Sequence, residues 1–264
     1  MNYTHLFWDW NGTLLDDADY CIAAVNRSLS ARGLPLMDRK RYYEVFRFPI
    51  REYYVDLGFD FTKEKYEDLA EEYNLAYASE IDKMPLRRHA KEVLAVFRGK
   101  SLPQYILSAS ERNVLLSSLR LHGIEGYFSS LVCTDNYLAD GKIAYGKRFA
   151  ETLPAGSKLL LVGDTEHDYE TARAIGADCV LLSGGHSSAE KLASFGVPVI
   201  DDLHELYPIV FGSDAKRAPL PSFSNADAAE RRSFDINEAE KKDFRTKYKD
   251  FYDDLKNTNK TEDW

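Results

Sequence analysis

Apolar positions recur along this chain in two rhythms. Near the N-terminus a short run, Leu6-Phe7-Trp8, ends on Asp9, and Gly12 follows where the backbone can turn sharply. From Asp16 to Arg32 the apolar residues Ile22, Val25 and Leu29 fall at near-helical spacing, and Gly33 stops the pattern. Between Leu34 and about Met84 there is no alternating strand pattern. The segment Arg47-Phe48-Pro49-Ile50-Arg51-Glu52-Tyr53-Tyr54 and the run Lys63 to Glu80 predict helices rich in tyrosine. Pro49 and Pro85 punctuate them, because proline disfavours helical geometry in the residue before it. Residues 17–84 are therefore predicted as a small helical insertion.

From Arg87 the rhythm changes to short apolar strands alternating with helices. Lys91 to Phe97 predicts a helix, and Gln104 to Leu107 a strand ending at Ser108. Glu111 to His122 is helical with Gly123 as its stop, Ser130 to Cys133 is a strand, and a helix begins at Lys147. Lys158 to Val162 is a buried strand ending at Gly163-Asp164; Asp168 to Ile175 is a helix closed by Gly176; Asp178 to Leu182 is another strand. Near-continuous apolar strands separated by helices predict an α/β fold, a Rossmann-like parallel sheet with helices on both faces. Its core comprises 1–16 and 85–212. Ser213 to Arg232 reads as linker. Beyond it Phe244, Tyr248, Phe251, Tyr252 and Leu255 share one face of a predicted C-terminal helix, which packs on its own chain or mediates oligomerisation or partner binding.

At 264 residues the chain is long enough to bury a sizeable core. A formal net charge of -9 disfavours a nucleic-acid surface, which needs basic patches against phosphates. No run approaches the ~20 apolar residues of a membrane span, and Met-Asn-Tyr-Thr-His does not resemble a signal peptide. The cysteines Cys21, Cys133 and Cys179 are scattered and odd in number, so neither a disulfide framework nor a CxxC metal site is implied. Cys133 and Cys179 are expected as buried thiols, and a cytoplasmic location follows most simply.

The candidate chemistry gathers at strand ends, where open α/β sheets bind ligands. The run Asp9-Trp10-Asn11-Gly12-Thr13-Leu14 resembles motif I of the haloacid dehalogenase superfamily, Asp-x-Asp-Gly-Thr-Leu. Gly163-Asp164-Thr165-Glu166-His167-Asp168 resembles motif IV. Ser108 fits motif II and Lys147 motif III, with Lys142 as the runner-up. The resemblance covers roughly residues 4 to 211. It points to the phosphoglycolate-phosphatase-like branch, in which an α-helical cap lies between motifs I and II. It implies Mg²⁺-dependent hydrolysis of a small phosphorylated substrate through an aspartyl-phosphate on Asp9. On that resemblance Asp9, Asp164 and the backbone carbonyl of Asn11 hold the metal, with Asp168 orienting Asp164 or a bound water. Thr13, Ser108 and Lys147 hold phosphoryl oxygens, and Arg47 and Arg51 reach an anionic substrate from the cap. His167 and His186 match no essential position and are expected to face solvent.

Asn11 departs from the pattern, since the family carries there an Asp that serves as general acid and base. An amide keeps the shape and hydrogen-bonding reach of a carboxylate but exchanges no proton near neutral pH. Three readings follow: a phosphatase with slowed turnover, a phosphate-binding module acting through a partner, or phosphonatase-like C–P hydrolysis. Asn11-Gly12 is also the dipeptide most prone to deamidation, unless the turn is rigid.

Overall fold

A computed structural model describes residues 1–134 and 141–212; the predicted linker and C-terminal helix lie outside the described residues. The described residues divide into two compact units, one formed by Met1–Ala18 with residues 85–134 and 141–212, the other by Asp19–Met84.

The first unit is built on six parallel strands, β1 (His5–Trp8), β2 (Gln104–Glu111), β3 (Ser130–Thr134), β4 (Leu159–Gly163), β5 (Asp178–Leu182) and β6 (Val199–Ile200). Their spatial order is β3-β2-β1-β4-β5-β6. The first strand is thus central, with Leu6 paired to Gln104 on one side and to Leu160 on the other. The chain leaves β1 toward one sheet edge and returns at β4 to build the other half. This reversal opens a crevice beyond the strand ends, the usual ligand site of such sheets.

Successive side chains of a strand point to opposite faces. Phe7, Tyr105, Leu107, Val132, Leu161 and Leu181 form one buried cluster with Ala172 and Ile175. Helices α7 (Gly141–Ala150) and α8 (Glu166–Ile175) serve this face, and the Phe149 ring meets Phe7 edge-on at 6.0 Å. On the opposite face Trp8 lies 6.2 Å from Phe97 of α5 (Ala90–Gly99). Its indole N–H donates to Gln104 Oε1 at 3.1 Å, and Gln104 Nε2 donates to the Leu94 carbonyl, so the buried polar atoms are satisfied. Helix α6 (Arg112–Leu121) and the short α9 (Ala189–Ala193) and α10 (Leu206–Phe211) complete this unit.

The second unit is helical: α1 (Ala18–Ala31, beginning at the boundary), α2 (Arg39–Val45), α3 (Ile50–Leu57) and α4 (Tyr66–Ala78). Its core joins Ile22, Val25 and Leu29 to Tyr42, Tyr53, Tyr54, Leu57, Phe59 and Leu69. Tyr73 and Tyr77 stack at 6.1 Å, which is packing, as their spacing suggests. Gly58 closes α3 at φ +101°, a left-handed conformation that a side chain resists.

Two local expectations fail. Helix α2 is absent from the sequence reading because Arg39-Lys40-Arg41 hides its apolar stripe; Asp38 starts it by accepting the Arg41 N–H at 2.8 Å. Helix α7 begins at Gly141 and not at Lys147, and this shift of phase matters at the site.

Candidate active site

Asp9 follows directly on β1, and its N–H donates to the Val162 carbonyl at 2.9 Å, extending the sheet ladder to the carboxylate. The chain then folds back at once. The N–H groups of Leu14 and Leu15 both donate to the Trp10 carbonyl, and Gly12 takes φ +73°. A Cβ on Gly12 would lie 2.2 Å from Asp164 Oδ2, so close approach as well as conformation requires glycine there. The Thr13 hydroxyl lies 2.9 Å from Asp164 Oδ1 and 3.3 Å from Asp9 Oδ2, linking motif I to the end of β4.

Asp164 and Asp168 sit on either side of the β4–α8 junction. Asp168 Oδ2 accepts from the Asp164 N–H, the Thr165 N–H and the Thr165 hydroxyl, which caps α8 reciprocally. Gly163 permits this, because a Cβ there would meet Asp168 Cγ at 2.2 Å. From the loop after β5, the His186 N–H donates to Asp164 Oδ2 at 2.6 Å. Arg87 braces that loop by donating to the Ser183 and Gly184 carbonyls at 2.5 and 2.9 Å.

The lysine of the site is Lys142, which corrects the preference for Lys147. Lys142 is 2% exposed, and its ammonium donates to Asp9 Oδ1 at 2.5 Å and to Asp168 Oδ1. Lys147 is exposed on the same helix. The reason is helical phase. Gly146 lies one turn beyond Lys142, and a Cβ there would touch Leu107 and Ile175 at 3.1 Å, so this face abuts the sheet. Residue 147 is five positions past 142, roughly 140° around the helix, and points away.

The carboxylates of Asp9, Asp164 and Asp168 bring oxygens within 4.8 Å of one another, all buried. Burial pushes the Asp9 carboxyl up to about 8, helped by Asp168 and opposed by Lys142. Burial and the Asp168 charge likewise lift Asp164 to about 6, against the pull of His186. Burial also acts on Asp168, but the Lys142 charge and the hydrogen bonds at its second oxygen outweigh it and hold this carboxyl below its usual range. Lys142 is driven up by Asp168 and Asp9 despite its burial. Two of the three carboxylates share the Lys142 ammonium and the third, Asp164, meets the Thr13 hydroxyl and the His186 N–H, so carboxyl groups crowd a dry site. Hard oxygen donors so arranged fit a divalent cation such as Mg²⁺.

Ser108 is buried where the β2–β3 register shifts between Leu107 and Glu111, and its Oγ accepts the Ser110 N–H at 3.1 Å. Asn11 directs its amide N–H to Asp17 Oδ2 at 2.8 Å, while the Ser110 hydroxyl donates to Asn11 Oδ1 at 3.1 Å. The Gly12 N–H, the attacking group in deamidation, donates to Asp17 Oδ1 at 2.8 Å. Asp17, fully buried, has no precedent in the motif reading; only its place two residues after Leu15 hinted at it. His186 was expected in solvent but is 7% exposed, with Nε2 3.3 Å from Asp17 Oδ1. Asp17 overcomes the cost of burial and pushes the imidazole up to about 9. His167 is partly exposed beside Glu170 at 3.8 Å. Arg47 pairs with Glu52 and Asp56 on the surface of the helical unit, and the Arg51 guanidinium lies over the Phe61 ring.

The chain is thus an α/β protein whose central parallel strand ends on a buried carboxylate, faced by a lysine and two further aspartates. The family model for haloacid dehalogenase-like hydrolases matches residues 6–182, and the chain belongs to that family; its enzyme class is that of the family's phosphatases. A phosphoglycolate phosphatase of Pectobacterium atrosepticum is 25% identical over 233 residues, covering 81% of this chain and 96% of that one. The tyrosine-protein kinase PtkA of Mycobacterium tuberculosis is 23% identical over 213 residues, covering 76% and 71%. Among solved structures, a haloacid dehalogenase-like hydrolase from Streptococcus pneumoniae superposes with a TM-score of 0.67 at 19% identity, covering 80% of this chain and 98% of that one. This last likeness concerns the fold. Among the described residues no helix is long and apolar enough to cross a membrane, and the three cysteines are buried and outside any disulfide.

Proposed function

We propose that the chain hydrolyses a small phosphomonoester through an aspartyl-phosphate on Asp9, with Mg²⁺ as its metal. The observation that carries the reading is the Asp9 carboxylate, 9% exposed at the end of the central strand, facing Lys142 and the two motif IV aspartates. Asp9, Asp164 and the Asn11 carbonyl would hold the ion, which supplies positive charge against the repulsion between carboxylate and phosphate. Asp168 orients Lys142 and fixes the Asp164 backbone. An Asp9 oxygen attacks phosphorus, and the ester P–O bond breaks with its electron pair going to the leaving oxygen. Water then attacks the phosphorus of the acyl phosphate, releasing phosphate and restoring the carboxylate. Ser108 and Lys142 hold nonbridging oxygens, so catalysis is largely positioning and charge neutralisation. The helical unit would serve as cap and set substrate choice, with Arg47 and Arg51 as candidates for an anionic group. Buried thiols outside any disulfide suit a reducing, cytoplasmic setting. The phosphonatase-like reading gains no support, because Lys142, the lysine at the carboxylates, belongs to α7 and not to residues 17–84.

The test is a rapid-quench assay with an activated aryl phosphate and Mg²⁺, whose leaving group needs little protonation. A burst followed by slower turnover, reduced at least about 10³-fold in Asp9→Asn, is the expected result. Phosphate binding with no burst would instead establish a binding module.

A further inference from the structure

Asn11 stands where the motif that this chain resembles has a carboxylate, yet its surroundings are not those of a position that has merely lost one. Its amide nitrogen is 2.8 Å from Asp17 Oδ2. The other Asp17 oxygen takes the Gly12 N–H at 2.8 Å and lies 3.3 Å from His186 Nε2. Asp17 has no exposed surface. Its neighbour Asp16, by contrast, is 45% exposed in its side chain and faces Arg87 at 3.5 Å. A carboxylate only accepts hydrogen bonds, so the buried Asp17 requires donors on every side that is closed to water. Asn11 provides one of them. An aspartate at position 11 would set two acceptors against each other at that distance, inside a site already rich in carboxylates. The direction of the Asn11 amide follows from the same constraint: its nitrogen must face Asp17, which turns Oδ1 to the Ser110 hydroxyl.

We infer that Asn11 and Asp17 form an exchanged pair, in which the carboxylate resides at 17 and the amide at 11. Asp17 is the positioning residue that fixes the Asn11 side chain and, through Gly12, the turn behind Asp9. Restoring an aspartate at 11 alone therefore damages the site, and it succeeds only when residue 17 becomes a donor. The activity part of this inference rests on the hydrolytic reading above; the pairing does not.

A double-mutant cycle tests it, with wild type, Asn11→Asp, Asp17→Asn and the double variant compared in urea unfolding and in decay of the quenched phosphoenzyme. The expected result is a lowered unfolding midpoint in each single variant and recovery to the wild-type midpoint in the double. Phosphoenzyme decay is about 10²-fold faster in the double variant than in Asn11→Asp, because only in the double does a proton-exchanging group stand free of a facing carboxylate. A parallel cycle with Asp17→Ser, which also offers a donor, covers the case that Asp17→Asn does not fold. If Asn11→Asp alone keeps its midpoint and accelerates decay as much as the double, the pair is not coupled and the inference is overturned. Absence of phosphoenzyme from all four proteins would defeat the hydrolytic reading, while the unfolding midpoints would still decide the pairing.

Discussion

The two units of this chain bury polar groups by opposite rules. At the strand ends of the first, Asp9, Asp17, Asp164, Asp168, Lys142 and His186 are all below a tenth exposed. In the helical unit the interior holds tyrosines and aliphatic residues, and the ions remain in partly exposed pairs such as Arg32 with Glu64 and Glu72. Aromatic burial gives the helical unit its cohesion through area alone. Buried ions give the first unit little net stability, because desolvation consumes most of the attraction. Their arrangement makes sense as a place prepared for a ligand. The first unit thus combines an apolar core with a cluster of buried ions, whereas the helical unit has only the former, and substitutions can separate the two contributions.

The sharpest separation lies between two lysines on one helix. Lys142→Met leaves Asp9 and Asp168 buried without their ammonium, and a loss of about 3–5 kcal/mol in urea unfolding is expected together with loss of the burst. Lys147→Met should stay within about 0.5 kcal/mol of wild type and keep the burst. Equal effects from the two would undo the assignment of Lys142. In the helical unit, Leu69→Ala removes a fully buried side chain and is expected to lower stability by about 2–4 kcal/mol. Divalent-metal affinity, measured by calorimetry at a temperature where this variant is folded, should not change. A weakened affinity would show that the metal site depends on packing in the helical unit.

A smaller effect should appear in the pH dependence of stability. His122 lies 6.0 Å from the Trp10 ring, and its Nε2 is buried with no hydrogen-bond partner among the described residues. Burial, with some help from Lys91, lowers its pKa to about 4. The folded form therefore binds this proton less readily than the unfolded chain, and stability from this group is complete above about pH 6.5 and falls as the pH drops toward 4. The loss is up to about 3 kcal/mol. His122→Phe keeps a ring against Trp10 and should flatten this part of the profile; the difference between the two urea-midpoint curves isolates it from the carboxylates. Parallel curves would mean that His122 is solvated.

The sequence reveals the strands and the carboxylates for one reason. Asp9 and Asp164 each end an unbroken apolar run, and the glycines beside them mark the turns. Lys142 is harder to find, because a helical side chain's direction depends on where the helix starts, and nothing apolar announces Gly141. Asp17 and His186 are harder still. Asp16 and Asp17 are adjacent acids, and only the folded turn, with Leu15 bridged to both Asn11 and Leu86, sends one to solvent and the other inside. His186 follows two glycines, and its burial is set by the contact of Gly185 with Asp164, whose oxygen would sit 2.2 Å from a Cβ there. Local pattern finds residues placed by the sheet; residues placed by loop closure need the loop.

The position of β1 also bears on how the protein is made. The strand that will lie at the centre of the sheet is the first to leave the ribosome, and it emerges with no neighbour to pair with. Its first partner arrives about a hundred residues later, since Trp8 and Gln104 are separated by 96 positions. Asp164, which Thr13 must meet, follows 151 positions after it. Until β2 is synthesised this apolar segment has both edges open, and until β4 follows one edge stays open, the kind of exposure that invites aggregation during synthesis. Contacts so distant in sequence also slow folding, because long loops must close before pairing compensates for them. Asp9 is thus translated well before Asp164, Lys142 and Asp168, the residues that complete its surroundings.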